Sequence, residues 1–266
     1  MTDTTPPTTD VFADDLFDGS VALVTGGGTG IGRAIALGFA RHGADVAIAS
    51  REIDHLEPVA EQLREHGARA CATTVDVREY DAVDAMVETV VEELGGVDVL
   101  VNNAGANFLS PAESLTPDGW RAVVGTILDG TAYCTLRVGE EMLAGDGGAV
   151  VSVGATNSQH GAPYHAHSGA GKAGVHNLMQ SVAVEWADRG VRANTVAPGI
   201  VETEGVKEAA GGSLPDSVLD TVPAGRFGVP ADVVPLVLFL ASPAAAYVTG
   251  GYFTVDGGYA LPTVPY

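Results

Sequence analysis

Eight residues constrain the fold more than any others: Thr25-Gly26-Gly27-Gly28-Thr29-Gly30-Ile31-Gly32. They follow an apolar run, Val21-Ala22-Leu23-Val24, and lead into an amphipathic segment from Arg33 to Ala40. Strand, glycine turn and helix in that order form the unit in which a glycine motif carries chemical meaning. Residues without a Cβ let the backbone turn sharply and approach a pyrophosphate, whose charge then rests on free N–H groups at the helix start. Gly26, Gly30 and Gly32 are spaced more widely than Gly-x-Gly-x-x-Gly, so the flanking strand and helix carry the reading. Gly26, Thr29, Gly30, Ile31 and Gly32 are the candidates to cradle phosphate.

Downstream, short apolar runs alternate with longer helical segments. That pattern predicts an α/β fold, a Rossmann-type doubly wound parallel sheet with helices on both faces. Strands are expected over 21–24, 45–49, 70–75, 97–101, 149–153, 191–196 and 252–255, and helices over 52–66, 80–94, 120–143, 166–187 and 232–240. The polar, glycine-containing stretch 202–222 is a candidate lid. With 266 residues, 46% of them hydrophobic, the chain has material for one large domain over 19–266. The Thr/Pro/Asp-rich start, 1–18, reads as a loose tail without the basic and apolar regions of a signal peptide.

A net charge of −21 argues against nucleic acid or an anionic membrane as partner, and no apolar run approaches the length of a membrane span. Cys71 and Cys134 are isolated, which suggests neither a disulfide framework nor a cysteine metal site; a cytoplasmic location is expected. His160, His165 and His167 lack the partners of a metal site, and none is expected. Lysine is nearly absent, at positions 172 and 207 alone, which draws attention to each. The acidity reads either as an ordinary solvated surface or as adaptation to high salt, where ions screen self-repulsion.

About twenty residues past the glycine turn, a carboxylate would be expected to hold the ribose hydroxyls of NAD. Ser50-Arg51 stands there instead. A guanidinium can pair with a 2′-phosphate and the serine hydroxyl can donate to it, so NADP(H) is the expected cofactor. Asp76 and Val77, ending the third strand, fall at the adenine, where the carboxylate can accept from the amino group.

With Asn102-Asn103-Ala104-Gly105 after the fourth strand, the chain resembles the short-chain dehydrogenase/reductase family. Its marks run from Val21 to Gly258 as TGGGTGIG, NNAG, APG and VDGG. The resemblance implies seven parallel strands, a nicotinamide cofactor and a tetramer. It places the main chain of Asn103, Ala104 and Gly105 along the adenosine ribose, with Pro198, Gly199, Ile200 and Thr203 at the nicotinamide half. The family's usual catalytic group is Asn, Ser, Tyr and Lys, with Tyr four residues before Lys on one helix face. Here only Lys172 matches: Ser168 takes the tyrosine place, Ala155 beside Thr156 the serine place, and Ile127 the asparagine place. A serine hydroxyl is too weak an acid to replace a phenol in carbonyl reduction near pH 7.

One branch shows such losses. NFLSPAESLTPDGW (107–120), TILDGTAY (126–133), HSGAGKAGVHNL (167–178) and SPAAAYVTGG (242–251) resemble the 2,4-dienoyl-CoA and trans-2-enoyl-CoA reductases. That branch reduces carbon–carbon double bonds conjugated to a CoA thioester. Charge collects on the thioester oxygen as an enolate, which needs aimed donors rather than an immediate proton. The resemblance implies that Lys172 holds the nicotinamide ribose, that Ser168 donates to the nicotinamide side or the enolate, and that Thr156 and Asn157 lie at the sheet's carboxyl edge. Asn157 is the candidate enolate donor. Asp129 aligns with an asparagine of some of these enzymes and either orients water or Lys172, or is a helix-surface aspartate. Tyr164, eight residues before Lys172, is expected to lie ahead of the helix; Trp120 and Trp186 read as packing residues. Three readings stay open: an NADPH-dependent enoyl- or dienoyl-CoA reductase, a 3-oxoacyl or other carbonyl reductase, and a cofactor-binding sensor without turnover.

Overall fold

The structure, a computed structural model, describes residues 8–209 and 212–261. Seven strands form one parallel sheet in the order β3-β2-β1-β4-β5-β6-β7: β1 Val21–Thr25, β2 Asp45–Ser50, β3 Ala70–Thr74, β4 Val99–Asn102, β5 Gly148–Val153, β6 Val191–Pro198 and β7 Tyr252–Val255. Between them run α1 Gly30–Arg41, α2 Glu57–Glu65, α3 Tyr80–Leu94, α4 Pro117–Val124, α5 Gly130–Ala144, α6 Ala166–Trp186, α7 Glu204–Ala209, α8 Asp216–Leu219 and α9 Pro230–Ala241. The winding starts at β1, moves outward to β3, then returns to β4 on the other side of β1. A ligand crevice opens at such a reversal, beyond the carboxyl ends of the strands.

The central strands are apolar at consecutive positions because both faces of the sheet are covered. Leu23, Leu100, Val150 and Ala193 pack with α3, α5 and α6, whereas Val24, Val101, Val151 and Val196 pack with α1, α2 and α9. Adjacent residues thus serve opposite cores. The start of the chain is not loose throughout: Phe17 is buried edge-on to Phe39, its N–H donates to the His42 carbonyl at 2.8 Å, and Phe12 and Leu16 pack on the same core. Residues 1–7 of the expected tail lie outside the described residues.

The helix expected over 120–143 is interrupted. Residues Gly125–Asp129 form a single π turn between α4 and α5, with helical dihedrals on both sides. Such turns insert one residue and re-aim the side chains around it. Thr126 faces the crevice, Ile127 is buried, and Asp129 is exposed. The stretch 202–222, expected as a lid, carries the short helices α7 and α8; residues 210 and 211 within it lie outside the described residues. Trp186 is buried, as a packing residue should be, while Trp120 is 41% exposed.

Candidate active site

The glycine turn and the loop after β4 meet at the reversal and are stitched together there. The Thr25 hydroxyl oxygen accepts from the N–H groups of Asn103 and Ala104, each at 3.1 Å, and the Asn103 side-chain amide donates to the carbonyls of Thr25 (3.0 Å) and Gly26 (3.1 Å). Gly26 holds φ +66°, and a Cβ on it would come within 2.8 Å of the Asn103 amide. A Cβ on Gly32 would overlap the Gly26 carbonyl oxygen. Only glycine permits this approach. Thr29 precedes α1 without a side-chain capping bond, so it satisfies none of the helix's first N–H groups. Free donors at a helix start attract anions.

A cavity of about 290 Å³ opens beside this turn. Of the residues expected at a cofactor, Gly26, Thr29, Ser50, Arg51, Asp76, Val77, Ala104 and Gly105 line it. Asn103 and Gly32 act behind the wall, and Gly30 and Ile31 begin α1. Three polar residues that the sequence reading did not single out also line it: Glu52, His55 and Thr126. The His55 Nε2 lies 3.6 Å from the Glu52 carboxylate, and the Ser50 hydroxyl donates to the Glu52 carbonyl at 3.1 Å. Asp76 accepts from the Arg78 guanidinium, with Nε at 2.9 and 3.1 Å. Hydrogen bonding to Arg78 holds the Asp76 carboxyl below the ordinary range, and Arg51 adds to the effect. The carboxylate expected at the adenine is therefore ionised and already paired.

On the far side, Thr203 leans toward the turn: its Cγ2 lies 3.2 Å from where a Cβ on Gly30 would stand. Pro198 ends β6, the Gly199 N–H donates to the Val255 carbonyl at 3.0 Å, and the Ile200 carbonyl accepts from Gly228 at 2.9 Å. A glycine cradle, open helix donors and a guanidinium in one crevice fit an anionic dinucleotide, whose adenosine phosphates Gly26, Thr29 and Arg51 would hold.

Lys172 lies on α6, and its ammonium donates to the Val153 carbonyl at the end of β5. Desolvation by burial pushes its pKa down from 10.5 to about 8. Ser168, one turn earlier, is buried, and its hydroxyl donates to the His165 carbonyl at 3.3 Å. Thr156 and Asn157 form a short 3₁₀ turn after β5; Thr156 is buried, and the Asn157 side-chain oxygen has no partner among the described residues. The Asn157 main-chain carbonyl faces α6, 3.3 Å from where a Cβ on Gly169 would stand. Lys172, Ser168, Thr156 and Asn157 thus share the junction of β5 and α6. Asp129 is exposed, and no hydrogen bond joins it to Lys172 among the described residues. Ile127, at the family's asparagine place, packs against Gly171.

A phenol does approach the serine place, from an element distant in sequence. Tyr252 of β7 donates to the Ala155 carbonyl at 2.8 Å and shares a 2.9 Å hydrogen bond with Ser158. Burial raises its pKa above the usual phenol range. Only its place in a strand that pairs with β6 brings it there, and no local spacing signals that.

The crevice at the sheet reversal and its glycine cradle are those of a dinucleotide-binding fold. Residues 26–260 match the family model described as Enoyl-(Acyl carrier protein) reductase. The chain is 36% identical over 253 residues to the peroxisomal 2,4-dienoyl-CoA reductase [(3E)-enoyl-CoA-producing] of Danio rerio, covering 94% of this chain and 84% of that protein. It is 37% identical over 248 residues to the D-threitol dehydrogenase of Mycolicibacterium smegmatis, covering 93% and 95%. Among solved structures it superposes with a TM-score of 0.87, at 36% identity and covering 94% and 100%, on the Beutenbergia cavernae protein described as an NAD(P)-dependent gluconate 5-dehydrogenase, solved with NADP bound at low occupancy. The chain belongs to the short-chain dehydrogenase/reductase family.

Proposed function

We propose that the protein uses NADPH to reduce the conjugated carbon–carbon double bond of an enoyl-CoA or 2,4-dienoyl-CoA thioester, as a tetramer in the cytoplasm. The observation that carries this is Ser168: where the family places a phenol, this chain has a hydroxyl committed to a carbonyl. Conjugate reduction tolerates that loss and carbonyl reduction does not, because an enolate can be held by aimed donors until it is protonated, whereas the alkoxide formed in carbonyl reduction needs an acid much stronger than an alcohol, which a serine hydroxyl is not. The 2,4-dienoyl-CoA reductases among the relatives support the same choice. The reduced nicotinamide supplies hydride.

The chain's own residues do the rest. Lys172, mostly protonated at pH 7, orients the ribose and lends positive potential to the site. The side-chain amide of Asn157, whose oxygen has no partner among the described residues, turns its donors to the thioester oxygen where the charge gathers. Arg51 with His55 holds the 2′-phosphate. Exposed apolar residues on α5 and α6, Leu136 and Val184, support the subunit contacts.

A second reading, oxidation of a polyol, is favoured by the D-threitol and galactitol dehydrogenases among the relatives and would require the Tyr252 phenol to give up its hydrogen bond to the Ala155 carbonyl and act as the base. The test is NADPH absorbance with a 2,4-dienoyl-CoA, a trans-2-enoyl-CoA and a 3-oxoacyl-CoA, alongside NAD(P)⁺ reduction with a polyol panel. Turnover of either conjugated thioester is expected. Turnover confined to the 3-oxoacyl-CoA or to polyols overturns the reading, and tight NADPH binding without any turnover makes the protein a sensor.

A further inference from the structure

Beside the reacting groups lies a feature that hydride transfer alone does not require. Among the described residues Tyr164 is the one non-glycine with positive φ, 66°. A bulky aromatic in the left-handed region is strained and persists only where its surroundings hold it. Here the Tyr164 carbonyl accepts from the Ser110 N–H at 3.2 Å, tying the loop before α6 to the loop after β4. The strain is not repaid by burial, since the Tyr164 side chain stays 56% exposed. Phe108 and Leu109, next to Ser110 in the chain, are likewise exposed, at 44% and 66%.

The side chain beneath Phe108 is uncharged. The Phe108 ring stands edge-on to His167, centroids 4.6 Å apart, and His167 is fully buried with no partner for either ring nitrogen among the described residues. Burial, with the neighbouring His165, holds the His167 pKa below its usual value, so the imidazole is neutral near pH 7. Ser168 is the next residue and Lys172 the turn after it, so the patch borders the site. Two loops tied at a strained residue present the rings of Phe108 and Tyr164 and the side chain of Leu109 to solvent, a carbon-rich surface that suits an alkyl chain. A polyol would find few hydrogen-bonding partners among them.

We infer that Phe108, Leu109 and Tyr164 form a mouth that takes the alkyl chain of the acyl thioester and sets its chain-length preference, an inference that rests on the proposed reaction for its substrate. Each methylene buried there strengthens binding by about fourfold at most. The experiment measures calorimetric binding of butanoyl-CoA and decanoyl-CoA, unreactive saturated probes, to the full chain with NADP⁺, together with kcat/KM on enoyl-CoAs of four to twelve carbons. Decanoyl-CoA should bind at least tenfold tighter, and kcat/KM should climb with length. Phe108→Ala and Tyr164→Gly should flatten both trends, with NADPH affinity reporting an intact fold, while Tyr164→Phe should keep them. Because glycine relieves the positive φ, Tyr164→Gly should not lower Tm. Equal binding of the two probes, or trends that persist in both truncated variants, overturns the mouth even when thioesters are reduced. If the trends in binding are present and lost as expected but no thioester is turned over, the mouth stands and the assigned reaction falls.

Discussion

Lys172 is half-buried, and its positive charge is stabilised by little more than one carbonyl. Its folded pKa, about 8, lies below the 10.5 of the unfolded chain, so the folded state disfavours the proton. Between those values the unfolded chain binds more protons, and the lysine's destabilising contribution is fully present below pH 8 and relieved as pH rises toward 10.5. Lys172→Met removes that term. The stability gap between variant and parent, from urea denaturation, is expected to shift toward the parent by roughly 1–3 kcal/mol from pH 7.5 to 10. A gap independent of pH would show that the ammonium is solvated. The same variant should lower turnover by at least about a hundredfold, on the scale of a lost charged contact to the reacting complex. In the cavity beside the glycine turn, Arg51, Glu52 and His55 stand together. Arg51→Ala is expected to weaken NADPH by about ten- to a hundredfold with little effect on NADH, and Glu52→Gln to widen the preference for NADPH; competitive binding of the two cofactors checks both. Arg51 was legible because it directly follows a strand at a fixed distance from the glycine turn. Glu52 and His55 were not, because the 3₁₀ turn Ile53–His55 folds back until the His55 carbonyl lies 2.9 Å from where a Cβ on Gly28 would stand, a tertiary contact with no signature in spacing.

Among the elements, the joint between the glycine turn and the loop after β4 bears most on the site. The Asn103 amide serves two carbonyls that lie inside the crevice wall. Asn103→Ala leaves both without that donor, at about 1–3 kcal/mol of stability, and loosens the cradle at Gly26. Urea denaturation and NADPH titration are expected to fall together. Stability lost with cofactor affinity unchanged would separate the stitch from the cradle. The order of strands and helices was readable from alternating apolar runs, since a parallel sheet covered on both faces leaves that pattern in any sequence. The π turn was not readable. Val123 and Ile127 keep helical spacing through it, and the inserted residue shows only in where Thr126 and Asp129 point. The attachment of Phe12, Leu16 and Phe17 was hidden by the polar composition around them, which describes the average of the segment and not the three side chains that dock.

For the whole molecule, charge is the dominant unsettled force. Thirteen lysines and arginines face 34 carboxylates, so pairing every cation would still leave a net charge of −21. Several described pairs also converge on one cation, with Arg137 contacting Asp84, Glu140 and Glu141. Mutual repulsion among the remaining carboxylates opposes the compact state, and it acts over a distance set by the ions in solution, about 10 Å at 0.1 M and 3 Å at 1 M. Raising KCl from 0.05 M should therefore raise Tm by several degrees, steeply at first and levelling near 1 M, where screening is already shorter than the spacing of surface charges. Salting-out of apolar groups also stabilises proteins but grows steadily with concentration, so the shape of the curve separates the two causes. A Tm that is flat or falls between 0.05 and 1 M would mean that the acidic surface is spread widely enough to be harmless, and that the composition reflects solubility rather than a dependence on salt.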